Sequence, residues 1–156
     1  MEEMDGIVEG AKLADAPEIK KLLDYYAKRE RLLPRALIEI CGSIRDFKVF
    51  RKGGKLLGAC ALNVCWTDLG EIRSLAVEPR HAKRGIGSLL LQACLKDARQ
   101  LGLKRVFTLT YVPAFFSKNG FRRISKEKLP HKIWGDCVHC TKFPECDEIA
   151  MEIALK

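Results

Sequence analysis

The chain has no apolar run approaching the ~20 residues that a membrane-spanning helix needs, so the sequence excludes a transmembrane segment. Its opening residues, Met1-Glu-Glu-Met-Asp5, lack the basic-then-apolar layout of a secretory signal. Both absences predict a soluble cytoplasmic protein with no membrane partner. Internal repeats and low-complexity linkers are missing too, so residues 1–156 read as a single domain. Aromatic residues make up only 8% of the chain, and no basic helix interleaves with them. A net charge of +8 spread along the sequence therefore suits a small anionic ligand, not a nucleic acid. What is present is apolar enough for a globular core, since 47% of the 156 residues are hydrophobic.

The most informative stretch is Leu75-Ala-Val-Glu-Pro-Arg-His-Ala-Lys-Arg-Gly-Ile-Gly-Ser-Leu-Leu-Leu91. An apolar strand ends at Val77, a short basic loop follows, and Gly85 and Gly87 open a helix of apolar periodicity. Glycines at a helix start let the backbone come close to a ligand, and the first turn presents unpaired N–H groups. Those donors, the positive end of the helix dipole and the charges of Lys83 and Arg84 make an anion site suited to pyrophosphate. It is not a P-loop, because no Gly-Lys-Ser/Thr follows. Nor is it a dinucleotide fingerprint, because the third glycine is missing.

This loop resembles the acyl-CoA loop of the GNAT superfamily of N-acetyltransferases, Arg/Gln-x-x-Gly-x-Gly/Ala after a strand. Ala82 stands where that family usually carries Arg or Gln. A later segment, Pro113-Ala-Phe-Phe-Ser-Lys-Asn-Gly-Phe121, resembles the family's late helix, with Gly120 as the expected C′ residue. The resemblance implies an α/β (α+β) GNAT fold, a mixed central sheet flanked by helices, with acetyl-CoA as co-substrate. The CoA-binding residues it implies are Leu75, Ala76, Val77, Lys83, Arg84, Gly85, Ile86, Gly87 and Ser88.

The predicted elements run in the order strand, helix pair, hairpin, strand, helix, strand. They are a strand at Ile7 to Lys12, a helix N-capped by Asp15 with Glu18 at the capping-box position, and a second short helix ending near Gly42. Strands Phe47 to Arg51 and Lys55 to Trp66 follow, joined by a Gly53-Gly54 turn, then Glu71 to Val77. The long helix covers Ile86 to Leu101, with strands at Arg105 to Thr110 and Glu148 to Leu155.

Direct attack of an amine on the CoA thioester requires a proton acceptor, because an ammonium cannot attack until it loses a proton. The place of Glu71 in Glu71-Ile-Arg-Ser-Leu-Ala-Val77 resembles that of the base glutamate in the histone-acetyltransferase branch. Alternation predicts Glu71, Arg73, Leu75 and Val77 on one face, with Ile72, Ser74 and Ala76 on the other. Backbone N–H groups near Leu75 to Val77, where the family's strand bulges, are the expected stabilisers of the thioester carbonyl. The family's usual general-acid tyrosine is replaced by Phe116, so no general acid is assigned.

Leu32-Leu-Pro-Arg35 with the following helix and Asp46-Phe47, and the tail Trp134 to Glu148, resemble the short N-acetylglutamate synthases of bacterial arginine biosynthesis. That branch implies L-glutamate as acceptor, and forked guanidinium groups match its carboxylates, so Arg35 and Arg73 are the expected substrate ligands. Another amino acid, a protein amine, or a non-catalytic acyl-CoA sensor are the alternatives, and a homodimer is left open. Among the cysteines, Cys41, Cys60, Cys65 and Cys94 sit within predicted elements as small core residues. Cys137, Cys140 and Cys146 lie in a loop near 128–147 with His131 and His139. A lone Cys-x2-Cys plus one thiol falls short of a zinc signature, so these are read as thiols that tie down a loop, with no metal assigned.

Overall fold

The computed structural model describes residues 6–129 and 148–156. They fall into two units, residues 1–63 with 72–97 and residues 64–71 with 98–156. The Cys137, Cys140 and Cys146 motif, with His131 and His139, lies outside the described residues.

The first unit holds β1 (Ile7–Gly10), α1 (Ala16–Ala27), α2 (Leu37–Gly42), β2 (Phe47–Lys52), β3 (Lys55–Val64, through Asn63) and, from Ile72 onward, β4 (Leu69–Val77). Residues Ile86 to Asp97 of α3 (Ile86–Leu101) also belong to it. Its strands follow the order β1-β2-β3-β4, and the first two pairs are antiparallel. The β2–β3 hairpin turns on Gly53 and Gly54, both at positive φ (58° and 76°), as a tight two-residue connection demands.

Alternation along β3 divides its two faces. Ala59 and Ala61 pack with Ile19, Leu23, Ile40 and Val49, the apolar stripes of α1, α2 and β2. Gly58 and Cys60 face α3. A Cβ on Gly58 would lie 2.8 Å from Leu90 Cδ1 and 3.1 Å from Ile86 Cγ2, so the absence of a side chain lets the helix sit close. The register shifts after Phe50, where Phe50 pairs with Gly58 but Arg51 pairs with Leu56. That bulge brings Leu56 onto the face of Ala59 and Ala61, and Leu56 joins their cluster.

In the second unit the order is β4-β5-β7-β6, with β5 (Arg105–Thr110), β6 (Arg122–Arg123) and β7 (Ile149–Ala154). β4 pairs with β5 in parallel through Leu69, Gly70 and Glu71, and β5 pairs with β7 antiparallel. Helix α4 (Pro113–Lys118) ends with Gly120 at φ 95°, and the Phe121 N–H returns to the Phe116 carbonyl at 3.0 Å. This is the expected left-handed C′ residue. The rings of Phe115 and Phe121 both meet Phe116 edge-on at 5.1 Å, so Phe116 serves packing.

Two local expectations are corrected. Asp15 precedes α1 but makes no side-chain cap bond. Its Oδ2 accepts instead from the Lys12 N–H and from Arg51 Nη2, each at 2.8 Å. The charged guanidinium on β2 is the stronger donor and draws the carboxylate from the helix end. Strand β1 stops at Gly10, two residues before the expected end at Lys12, because the chain turns into a 3-10 segment at Leu13–Asp15. Cys60 and Cys94 are fully buried, and Cys41 and Cys65 pack half-buried against the two cores. Among the described residues no helix is long and apolar enough to cross a membrane.

Candidate active site

β4 delivers the chain to the glycine loop. After Val77 a short turn at Pro79–His81 is braced by the Glu78 N–H on the Leu57 carbonyl at 2.7 Å. His81 Nδ1 lies 2.7 Å from Glu78 Oε2. Burial pushes the Glu78 carboxyl upward, but the His81 bond and the charges of His81 and Arg80 outweigh it and leave the carboxyl below its usual value. The one acidic side chain entering the loop is thus engaged with a histidine.

Lys83 and Gly85 both have positive φ, 64° and 90°. For lysine that conformation is uncommon, and for glycine it carries no Cβ penalty. The two reversals swing the chain into α3, whose first-turn N–H groups, from Ile86, Gly87 and Ser88, are offered at the loop end of the helix. Ile86 is buried and anchors that end, whereas Lys83 and Arg84 are exposed. Backbone donors, the positive end of a 16-residue helix dipole and two exposed cations make this the candidate anion site. Ala82, at the departure from the family pattern, is exposed and adds no charge.

Upstream on β4, Ser74 has φ 57°, a break in the extended backbone. This corrects the expected alternation. In a regular strand Arg73 and Ser74 point to opposite faces, yet both line one cavity of about 180 Å³. The backbone irregularity thus lies at Ser74, one residue before the Leu75 to Val77 stretch where a bulge is expected. Two residues further along, Ala76 is buried, while Leu75 and Val77 are half-buried.

The same cavity is lined by Arg35 and Glu39 from the α2 region, Asp46 before β2, and Asn63 of β3. Arg35 and Arg73, singled out in the sequence as an acceptor pair, are thus brought together. Lys20 Nζ donates to the Arg35 carbonyl at 3.0 Å and pairs with Asp24 at 2.9 Å, which holds the chain entering α2 against α1. Glu39 Oε1 accepts the Ala36 N–H at 2.9 Å, while Oε2 lies 3.9 Å from Arg35 Nη1. Burial raises the Asp46 carboxyl above its ordinary value, and the Arg73 charge acts against that rise. Asp46 and Asn63 had no assigned role in the sequence, since only the packing of α2 against β2 and β3 makes them neighbours.

Glu71 belongs to the second unit, where it is buried and paired with Phe107 in the β4–β5 register. Phe116 is also buried and has no proton to give. Tyr111 follows β5 half-buried, and Ser117 is exposed.

The sequence matches the acetyltransferase (GNAT) family over residues 18–121. It is 41% identical over 147 residues to an N-acetyltransferase of Chlorobaculum tepidum, covering 94% of this chain and 95% of that protein. It is 40% identical over 121 residues to the amino-acid acetyltransferase of Mycobacterium tuberculosis, covering 76% of this chain and 69% of that enzyme. Among solved structures, the N-acetylglutamate synthase of Neisseria gonorrhoeae, complexed with coenzyme A and N-acetyl-glutamate, superposes with a TM-score of 0.89 at 27% identity. The match covers 97% of this chain but only 35% of that enzyme, so the chain spans about a third of its length.

Proposed function

We propose, for a chain that belongs to the acetyltransferase (GNAT) family, that it transfers acetyl from acetyl-CoA to the α-amino group of L-glutamate. The observation that carries this reading is the cavity that gathers Arg35 and Arg73, the residue types best suited to paired carboxylates. Its volume of about 180 Å³ suits a small acceptor such as an amino acid. The similarity of this chain to the amino-acid acetyltransferase of M. tuberculosis and to the gonococcal N-acetylglutamate synthase supports the reading.

The loop suits the co-substrate on its own chemistry. Its donor set of backbone N–H groups at Ile86, Gly87 and Ser88, with Lys83 and Arg84, matches a pyrophosphate. Val77 lies three residues past Ser74, a strand span of about 10 Å. A pantetheine arm laid along Leu75, Ala76 and Val77 would thus run from the loop toward the acceptor cavity. Near the bulge, backbone N–H groups of the same residues serve the developing oxyanion.

In this reading Arg35 and Arg73 bind the two carboxylates and orient the nitrogen. Glu71 takes the proton from the ammonium, directly or through water. The nitrogen then attacks the thioester carbon, the C–S bond breaks, and the thiolate, a weak base, leaves without a dedicated acid, while the second proton on the nitrogen passes to that thiolate or to water.

The test is acetyl-CoA with a panel of amino acids, following thiol release. L-glutamate should be the preferred acceptor. Arg35→Met and Arg73→Met should each raise its KM by about 10- to 100-fold, the loss of one charge-assisted bond, while the acetyl-CoA KM stays near its parent value. A neutral amino acid or a basic peptide used as well as glutamate would end the assignment of acceptor.

A further inference from the structure

Two guanidinium groups and two carboxylates line the cavity: Arg35, Arg73, Glu39 and Asp46. The guanidinium groups match the carboxylates of an acidic amino acid. What the cavity does with its own carboxylates is a separate question. Glu39 is engaged, with one oxygen on the Ala36 N–H and the other near Arg35. Asp46 is not. Its backbone N–H closes a turn on the Ser43 carbonyl at 2.9 Å, but among the described residues its side chain makes no hydrogen bond. It is half-buried, and the Arg73 charge offsets part of that burial.

A carboxylate drawn out of water without hydrogen-bond donors is costly, and a bound donor relieves that cost. An acidic amino acid carries one donor group at neutral pH, its ammonium. We propose that Asp46 receives the ammonium of the acceptor amino acid and so selects a free α-amine at the mouth of the reaction. This rests on reading the cavity as the acceptor site. The pairing governs arrival. Once the nitrogen has become an amide it carries no charge, Asp46 loses its counter-ion, and the acetylated product is held less firmly than the substrate.

That asymmetry gives a test that a structural role does not mimic. Calorimetry on the full chain saturated with CoA would compare L-glutamate with N-acetyl-L-glutamate, which keeps both carboxylates but has no ammonium. Asp46→Asn should weaken L-glutamate by about 10- to 100-fold and leave N-acetyl-L-glutamate within about two-fold or tighter. Asp46→Glu, with the charge restored, should recover part of the L-glutamate affinity. If Asp46 only steadies Arg73, both ligands weaken in parallel in Asp46→Asn, and the proposal falls. It also falls if neither weakens. A parent protein that binds neither ligand overturns the acceptor reading itself, whereas parent binding with an unselective Asp46→Asn variant overturns this inference alone.

Discussion

The Tyr26 hydroxyl donates a 2.7 Å hydrogen bond to the Val77 carbonyl, joining the last turn of α1 to the end of β4 across 51 positions of sequence. The ring is steadied edge-on against Tyr25 at 5.0 Å, and the Arg29 guanidinium lies 3.6 Å from the Tyr25 ring centre. Burial first, then the proximity of Tyr25 and Glu78, pushes the Tyr26 hydroxyl above its ordinary value, so it stays a donor well past neutral pH. Tyr26→Phe keeps the ring and removes the bond. The expected cost is about 0.5–1.5 kcal/mol in denaturant unfolding. Because Val77 leads directly into the glycine loop, acetyl-CoA KM should rise while the glutamate KM changes little. Equal effects on both substrates would mean that the bond steadies the whole unit and not the CoA side.

Gly87 occupies the second position of α3, where its N–H is one of the cradle donors. Gly87→Glu places a carboxylate where an anion is expected. An acidic residue in a helix's first turn favours the helix dipole, so the helix itself should persist. Circular dichroism should therefore be preserved while acetyl-CoA binding, read by calorimetry, is lost. Retained affinity would remove the loop as the pyrophosphate site.

Much of this arrangement was legible in the sequence because it depends on short-range rules. α3 and β5 occupy the expected ranges, Ile86–Leu101 and Arg105–Thr110, since apolar periodicity and the flanking glycines mark both. The Gly53-Gly54 turn and Gly120 were readable because positive φ favours glycine. Ser74 was not, because serine gives no sign of a left-handed backbone, and its break in β4 redirected the expected face of the strand. Asp15 had the pattern of an N-cap, but Arg51, 36 positions away, competes for the same oxygen. Asp46 entered the sequence reading only through the Asp46-Phe47 pair of the resemblance. Its place in a cavity depends on α2, β2, β3 and β4 meeting, which no local pattern encodes.

The Asp15–Arg51 pair also sets an acid limb of stability. The Arg51 hydrogen bond lowers the Asp15 carboxyl, burial opposes it, and the net position lies below the ordinary value of 3.8. A group depressed in the folded state contributes stability above its unfolded pKa and loses it as pH falls through the folded one. Asp15→Asn should therefore cost about 1.5–3 kcal/mol at pH 7, as for a bond between charged groups. The gap between parent and variant should close below about pH 4. Urea unfolding at pH 7 and pH 3 measures both limbs. A gap that persists undiminished at pH 3 would show that the ionised pair is not the source.

Glu71 carries the proposed proton transfer, and its burial makes the substitution demanding to read. Glu71→Gln preserves size and most hydrogen bonding, so unfolding should move far less than rate. Turnover should drop by about 10²–10⁴-fold with the acetyl-CoA affinity nearly unchanged. The split between rate and stability separates catalysis from packing. Were Glu71 merely a packed carboxylate, the variant would lose stability and rate together. A parent-like rate would assign the proton to another group.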